Sequence, residues 1–159
     1  MPLVTIAEAR AHVRVEADYP EDQLQGALDG AIASAESYLN RRIFESAEAI
    51  GAARQLYPAG MKAAALARDS ALSDAVFIEN GEERTAAIEL AAAVYAEAAA
   101  GASECLHGIV MNPAVRAAIL LTFGHLYSNR SDVVVGAQVV ELPVGAKSLL
   151  RGYRRVMMP

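Results

Sequence analysis

Apolar residues recur at spacings of three and four after Pro113, and this pattern constrains the fold more than any other feature of the chain. Such spacing places side chains on one face of an α-helix. Pro113 suits the first turn, where a missing N–H costs nothing, and the turn formers from Ser128 onward end the run. The stretch therefore predicts a helix anchored in a core. Its apolar members are Val115, Ile119, Leu120, Phe123, Leu126 and Tyr127.

Two earlier segments also predict helices. Thr5 and Glu8 have the spacing of a capping box, in which each side chain accepts a hydrogen bond from the other residue's backbone N–H, so a helix is expected over 5–13. A longer helix is expected from about Pro20 to Arg41, with Asp18 as its N-cap. The apolar stripe of this second helix comprises Leu24, Leu28, Ala31, Ile32, Ala35 and Leu39.

Gly26 and Gly30 lie within the longer of these two predicted helices. Each weakens a helix by roughly 1 kcal/mol relative to alanine. Two explanations are open: either the glycines allow another helix to approach closely, or this helix depends on its neighbours for stability.

The middle of the chain is less regular. Tyr57-Pro58-Ala59-Gly60 is typical of a turn, and helical residues follow over 61–72. The apolar residues 75–78 form either one short strand or an apolar plug before a second turn at Asn80-Gly81. A helix is predicted over 82–100, ended by Gly101, and residues 102–112 are predicted to be a loop with one helical turn.

A short β-branched segment over 133–140, broken by Gly136, predicts a β-ribbon before a basic C-terminal helix. The edges of such a ribbon offer unpaired backbone groups that a neighbouring chain can extend. The segment is therefore the predicted subunit interface, formed by Val133, Val134, Val135, Val139 and Val140.

Composition supports a helical fold. Hydrophobic residues make up 54% of the 159-residue chain and aromatic residues 6%, with alanine dominant. Alanine has the highest helix propensity. We therefore expect one all-α domain over 1–159, a small bundle of about four to six helices with the short β-ribbon before its last helix.

Charge is unevenly distributed along the chain. The net charge is -5, yet residues 142–159 carry +4 and no acid, which leaves -9 on residues 1–141. An acidic body does not suit a protein that wraps nucleic acid. The basic end leaves open a contact with phosphate or with an acidic protein.

Side chains that carry catalytic or metal chemistry are sparse. His12, His107, His125 and Cys105 lack the local spacing of metal ligands, so no metal and no cofactor is expected. Cys105 with His107 is more simply an idle thiol near an imidazole than a nucleophile with its base. The chain is predicted not to be an enzyme. One cysteine fits a reducing compartment, and neither a signal peptide nor a membrane span is expected.

The chain resembles the head–tail connector (adaptor) proteins of long-tailed phages and prophages, which are often labelled putative DNA-packaging proteins. The resemblance covers roughly the first and the last 45 residues, while about 45–112 is predicted to be an insertion or a variant region. The matching segments are 3–15, 22–42 and 113–130, followed by 133–136, 141–145 and 149–154.

The resemblance implies a structural protein of the virion, assembled in the cytoplasm of the bacterial host. About a dozen copies would form a ring under the portal. The ring would continue the DNA channel without sequence-specific contact and dock a tail-completion or stopper protein. The C-terminal segment would then contact the portal through Leu149, Leu150, Arg151, Tyr153, Arg154 and Arg155.

Two other functions are open from the residues. One is a small helical DNA-binding or packaging-accessory protein that uses Arg151, Arg154 and Arg155 on phosphates. The other is a helical enzyme that uses Cys105 and His107. The resemblance favours the connector over both.

Overall fold

The computed structural model describes residues 2–16, 19–129 and 143–156. Within these ranges the chain is dominated by α-helices, so the all-α prediction is confirmed. The chain divides into two compact units, residues 1–46 with 109–159 and residues 47–108. The described helices are α1 (Ile6–Val13), α2 (Glu21–Leu39), α3 (Ala47–Ala75), α4 (Gly81–Leu106), α5 (Pro113–Ser128) and α6 (Val144–Leu150).

The first unit packs α1, α2, α5 and α6 around one apolar core. The stripe predicted for α2 faces this core: five of its members are buried and Ile32 packs against them. The helix after Pro113 contributes the second half of the core, as its spacing predicts. The largest fully buried side chains are Phe123, Leu24, Leu28, Leu39, Ile119, Leu150 and Val115.

Local hydrogen bonds fix where these helices begin. The predicted capping box of Thr5 and Glu8 is present at the start of α1. At the start of α5, the side chain of Asn112 accepts from the N–H of Val115 at 3.0 Å, and proline occupies the first turn. The predicted N-cap of α2 is wrong. Pro20 holds that position, because its fixed φ of -54° already leads the chain into the helix.

The two glycines of α2 are not sites of forced close approach. A Cβ added at Gly26 would meet nothing within 4 Å, and one at Gly30 would lie 3.5 Å from Cδ1 of Leu126, an ordinary contact. The first explanation for these glycines therefore fails. The helix depends instead on the core that its apolar stripe enters.

A two-stranded parallel sheet follows α2. Asn40 ends that helix in the left-handed conformation (φ 52°), which asparagine tolerates better than most residues. β1 (Ile43–Phe44) pairs with β2 (Ile109–Val110), with Ile43 opposite Ile109. Part of the predicted loop over 102–112 is therefore helix or strand. Local sequence patterns did not indicate the pairing, because its partners are far apart in the chain.

The second unit is a hairpin of two long helices, α3 and α4. The turn predicted at residues 57–60 is wrong, since α3 continues through Pro58. A proline inside a helix removes one hydrogen bond, here to the carbonyl of Arg54, and kinks the helix without necessarily ending it. The helix predicted over 61–72 is confirmed as part of α3. The alanine-rich residues on both sides favour continuation.

The tip of the hairpin also differs from prediction. Val76 and Phe77 are 70% and 84% exposed in a turn, so this segment is neither a strand nor an apolar plug. Asn80 caps α4 by accepting hydrogen bonds from the N–H groups of Glu82 and Glu83. The helix predicted over 82–100 is confirmed, but it does not end at Gly101. A single glycine costs a helix only about 1 kcal/mol, which a 26-residue helix tolerates.

Candidate interaction surfaces

The described part of the chain brings no set of metal ligands together. No group of three or more His, Cys, Asp or Glu side chains lies together as metal ligands would. Cys105 is a half-buried free thiol in the last turn of α4, and His107 stands at the end of that helix. His12 lies against Gly124 in the other unit. Among the described helices, none is long and apolar enough to cross a membrane.

The C-terminal segment is partly core and partly surface. Leu150 is fully buried and Leu149 packs against the core, so part of the segment predicted to contact the portal is enclosed by this chain's own helices. The helix α6 reaches the core because it packs along α5. Arg151, Tyr153 and Arg154 are exposed and Arg155 is half-buried. The surface that remains for a partner is thus smaller than the predicted set.

Residues 154–156 run along the end of α2 and are bonded to it. The N–H of Arg155 donates to the carbonyl of Leu39 at 2.9 Å. The side-chain amide of Asn40 donates to the carbonyl of Arg155 at 3.1 Å. The guanidinium of Arg154 lies over the ring of Tyr38, 5.1 Å from its centre. These contacts join the chain end to α2, a pairing that sequence periodicity does not reveal.

Arg42, which follows α2, is engaged within the fold. Arg42 forms an ion pair with Glu36 at 2.7 Å, and the same carboxylate accepts from the N–H of Ile43 at 2.9 Å. The carbonyl of Arg42 in turn accepts from the N–H of Ile109. The glutamate therefore links the end of α2 to the start of the sheet.

Glu8 joins α1 to α5. Its carboxylate accepts from the backbone N–H of Thr5 at 2.9 Å and pairs with the guanidinium of Arg116. The hydrogen bond from Thr5, followed by the charge of Arg116, lowers the pKa of Glu8 below its ordinary value. The contact is structural: a cap and an ion pair between two helices.

The hairpin carries an apolar cleft of about 600 Å³ between α3 and α4. Its walls are alanines together with Leu90, Val94, Tyr95 and Ile78, and its charged members are Arg68 and Asp74. Leu90 and Val94 are 65% and 56% exposed. A hairpin this poor in large buried side chains leaves an apolar face open. The sequence pattern does not indicate this cleft, because most of the residues that line it are alanines.

Arg68 is already engaged within its own hairpin. Its guanidinium pairs with Asp69 at 2.7 Å and lies 4.6 Å from the centre of the Tyr95 ring. The hydrogen bond and charge of Asp69 raise the pKa of Arg68 above its usual value. This arginine holds one wall of the cleft against the other.

The excess negative charge of the protein belongs to the hairpin. Residues 47–108 contain nine acidic and four basic residues, a net charge of -5, and the remainder of the chain is neutral. The acids are dense at the tip, where Asp74, Glu79, Glu82 and Glu83 lie near the exposed Phe77. Of the -9 carried by residues 1–141, the hairpin therefore supplies -5 and the rest of that range -4.

The predicted subunit interface of Val133, Val134, Val135, Val139 and Val140 lies outside the described residues, as does the ribbon that contains it. That prediction stays a prediction. A comparison of the chain with known protein families, with curated proteins and with solved structures finds no match.

Proposed function

We propose that this protein is a structural head–tail connector of a tailed phage or prophage. Copies of the chain assemble into a ring under the portal, and the ring continues the DNA channel and docks the tail. The protein has no catalytic role in this proposal. The resemblance of the two ends of the chain to such connectors is its origin.

One structural observation supports the proposal more than any other. The segments that carry the resemblance are separated by more than sixty residues, yet they fold into a single unit. Residues 3–15 and 22–42 contribute α1 and α2 to that unit, and residues 113–128 contribute α5. The residues without the resemblance form the other unit. A chance likeness of scattered segments has no reason to follow this division.

The character of the surface agrees with a structural role. No group of metal-ligating side chains lies together among the described residues, and the cleft of the α3–α4 hairpin is apolar. Apolar surface of this kind in a protein of modest size marks contact with other macromolecules. The exposed terminal residues Arg151, Tyr153 and Arg154 provide a second surface for a protein partner.

The mass of the purified protein over a concentration series, alone and with assembled portal rings, tests the proposal. We expect large cyclic assemblies at high concentration and co-sedimentation with portal. A chain that stays monomeric at high concentration and never binds portal contradicts it.

Binding to DNA is the competing outcome. Binding that weakens steeply with salt and is lost in an Arg151→Ala/Arg154→Ala variant, without portal binding, would favour the packaging-accessory function. Point substitutions are needed here because removal of residues 147–159 would also remove Leu150 from the core. Asp29→Ala, on an exposed position of α2, is a control for general surface effects.

A further inference from the structure

We infer that the apolar cleft of the α3–α4 hairpin receives the basic C-terminal segment of a second copy of this chain. Both surfaces occur once in each copy, so the contact joins them head to tail. Such contacts close into a ring when the rotation between copies permits and otherwise continue as a filament. The inference deepens the proposed function and rests on it for the closed ring, whereas the pairing itself needs no portal.

The hairpin requires a partner on physical grounds. In this fully described unit, the buried side chains are those of Ile50, Ala75 and Ala91, two of them alanines. A helix pair is stabilised mainly by packing of its apolar face, and small residues let a partner approach closely. Seven large apolar residues of this unit are exposed: Leu56, Leu66, Val76, Phe77, Ile88, Leu90 and Val94.

Charge identifies the kind of partner. Asp74 lines one end of the cleft. Glu83 lies four residues before Ala87, a cleft residue, so helical spacing places it on the same side of α4. A second hairpin is the wrong occupant, because each hairpin carries -5 and two of them would repel. An apolar segment flanked by positive charge is complementary.

The C-terminal segment of this chain has that chemistry. Residues 143–156 contain no acid. Its last six described residues expose both basic and apolar side chains: Arg151, Tyr153 and Arg154 are exposed, and Val156 is 80% exposed. The backbone bonds of Arg155 to α2 hold the segment in place. A segment that is already held in place loses less conformational entropy on binding than a free tail does.

This assignment gives the exposed terminal residues a different partner from the portal that the resemblance implies. One segment cannot occupy a neighbour's cleft and bind the portal through the same side chains. The two assignments predict different results for the protein alone, because only the contact between copies operates without portal.

Charge reversal on each surface provides the test. The cleft variant is Asp74→Lys/Glu83→Lys, and the terminal variant is Arg151→Glu/Arg154→Glu. Sedimentation measures the self-association of each full-length protein, and circular dichroism verifies its helicity. We expect each variant to associate at least about tenfold more weakly than the parent. The matched control Glu82→Lys/Glu89→Lys makes the same charge change on another side of α4 and should associate like the parent.

Mixing gives the decisive measurement. The cleft variant keeps a normal terminal segment and the terminal variant keeps a normal cleft, so the two proteins together should associate again, through the parental charge pair at one contact and the reversed pair at the next. A chain that carries all four reversals should regain association. If Arg154→Glu disturbs the Tyr38 contact and lowers helicity, single reversals replace the double ones: Glu83→Lys is then the cleft variant and Arg151→Glu the terminal variant. The chain that carries both replaces the chain with four reversals. A monomeric parent, an unaffected variant or a mixture that stays monomeric overturns the inference.

Discussion

The backbone N–H of Arg155 donates to the carbonyl of Leu39, and this bond joins the end of the chain to the last residue of α2. The carbonyls at a helix C-terminus lack partners within the helix, and here another segment supplies one. Asn40 contributes twice. Its backbone turns the chain at a positive φ, and its side chain holds the carbonyl of Arg155.

Two substitutions at Asn40 separate these contributions. Asn40→Gly keeps the left-handed turn and loses the side-chain hydrogen bond, so it should cost about 0.5–1.5 kcal/mol of unfolding free energy. Asn40→Ala loses both and should cost about 1–2 kcal/mol more. Urea unfolding of both variants measures the difference. Equal effects of the two substitutions would show that the turn conformation contributes little.

The C-terminal residues should divide sharply into core and surface. Leu150→Ala should destabilise the first unit by about 2–5 kcal/mol, because a fully buried leucine leaves a cavity. Tyr153→Ala/Arg154→Ala should change stability by no more than about 1 kcal/mol and should weaken association with a protein partner. Thermal unfolding with parallel sedimentation distinguishes the two. Unfolding of the double variant would place its side chains in the core.

Acid should weaken the contact between α1 and α5. The lowered pKa of Glu8 means that its contribution to stability is fully present above the ordinary carboxyl pKa of about 4.5 and is lost as the pH falls through the lower, folded-state value. Glu8→Gln removes this contribution, so the stability of the variant should fall less steeply below that pH. Unfolding midpoints between about pH 3 and 7 provide the measurement. Identical pH profiles would contradict it.

Pro58 should limit the stability of the hairpin. Pro58→Ala restores an N–H to the carbonyl of Arg54 and should stabilise α3, with an upper limit of about 3 kcal/mol. Gly60→Ala is a useful companion, since an added Cβ there meets nothing within 4 Å and should contribute about 1 kcal/mol. Circular dichroism during heating reports both gains. A loss of stability in Pro58→Ala would mean that the backbone geometry imposed by the proline is needed for packing against α4.

Sequence reasoning succeeded where local rules and burial agree. The capping box at Thr5, the apolar stripe of α2 and the first-turn proline of α5 each specify one structure, and the core enforces it. It failed at Pro58 and Gly101, because both residues are ordinary helix breakers and only their long alanine-rich surroundings override them. Local patterns do not encode the pairing of Ile43 with Ile109 or the bond of Arg155 to Leu39, since each joins residues remote in the chain.

The cleft escaped prediction for a related reason. Its walls are mainly alanines, which the hydrophobic periodicity of α3 and α4 does not separate into an inner and an outer face. The cleft side of α4 carries Leu90, Ala91, Val94 and Tyr95, and the neighbouring positions of the helix are also mostly alanines. When most side chains are small, all faces of a helix are similarly apolar. The element that packs against the helix then decides which face is buried.

The parallel pairing of β1 and β2 has a consequence for how this chain tolerates change. Adjacent strands lie about 5 Å apart, so residues 47–108 leave and rejoin the first unit at almost the same point. The entropic contribution to the free energy of closing a loop rises by only about 0.6 kcal/mol for each doubling of the loop's length. The stability of the first unit is therefore nearly indifferent to the length of what lies between its strands. Evolution is free to lengthen, shorten or exchange the hairpin there while the core that frames it stays the same.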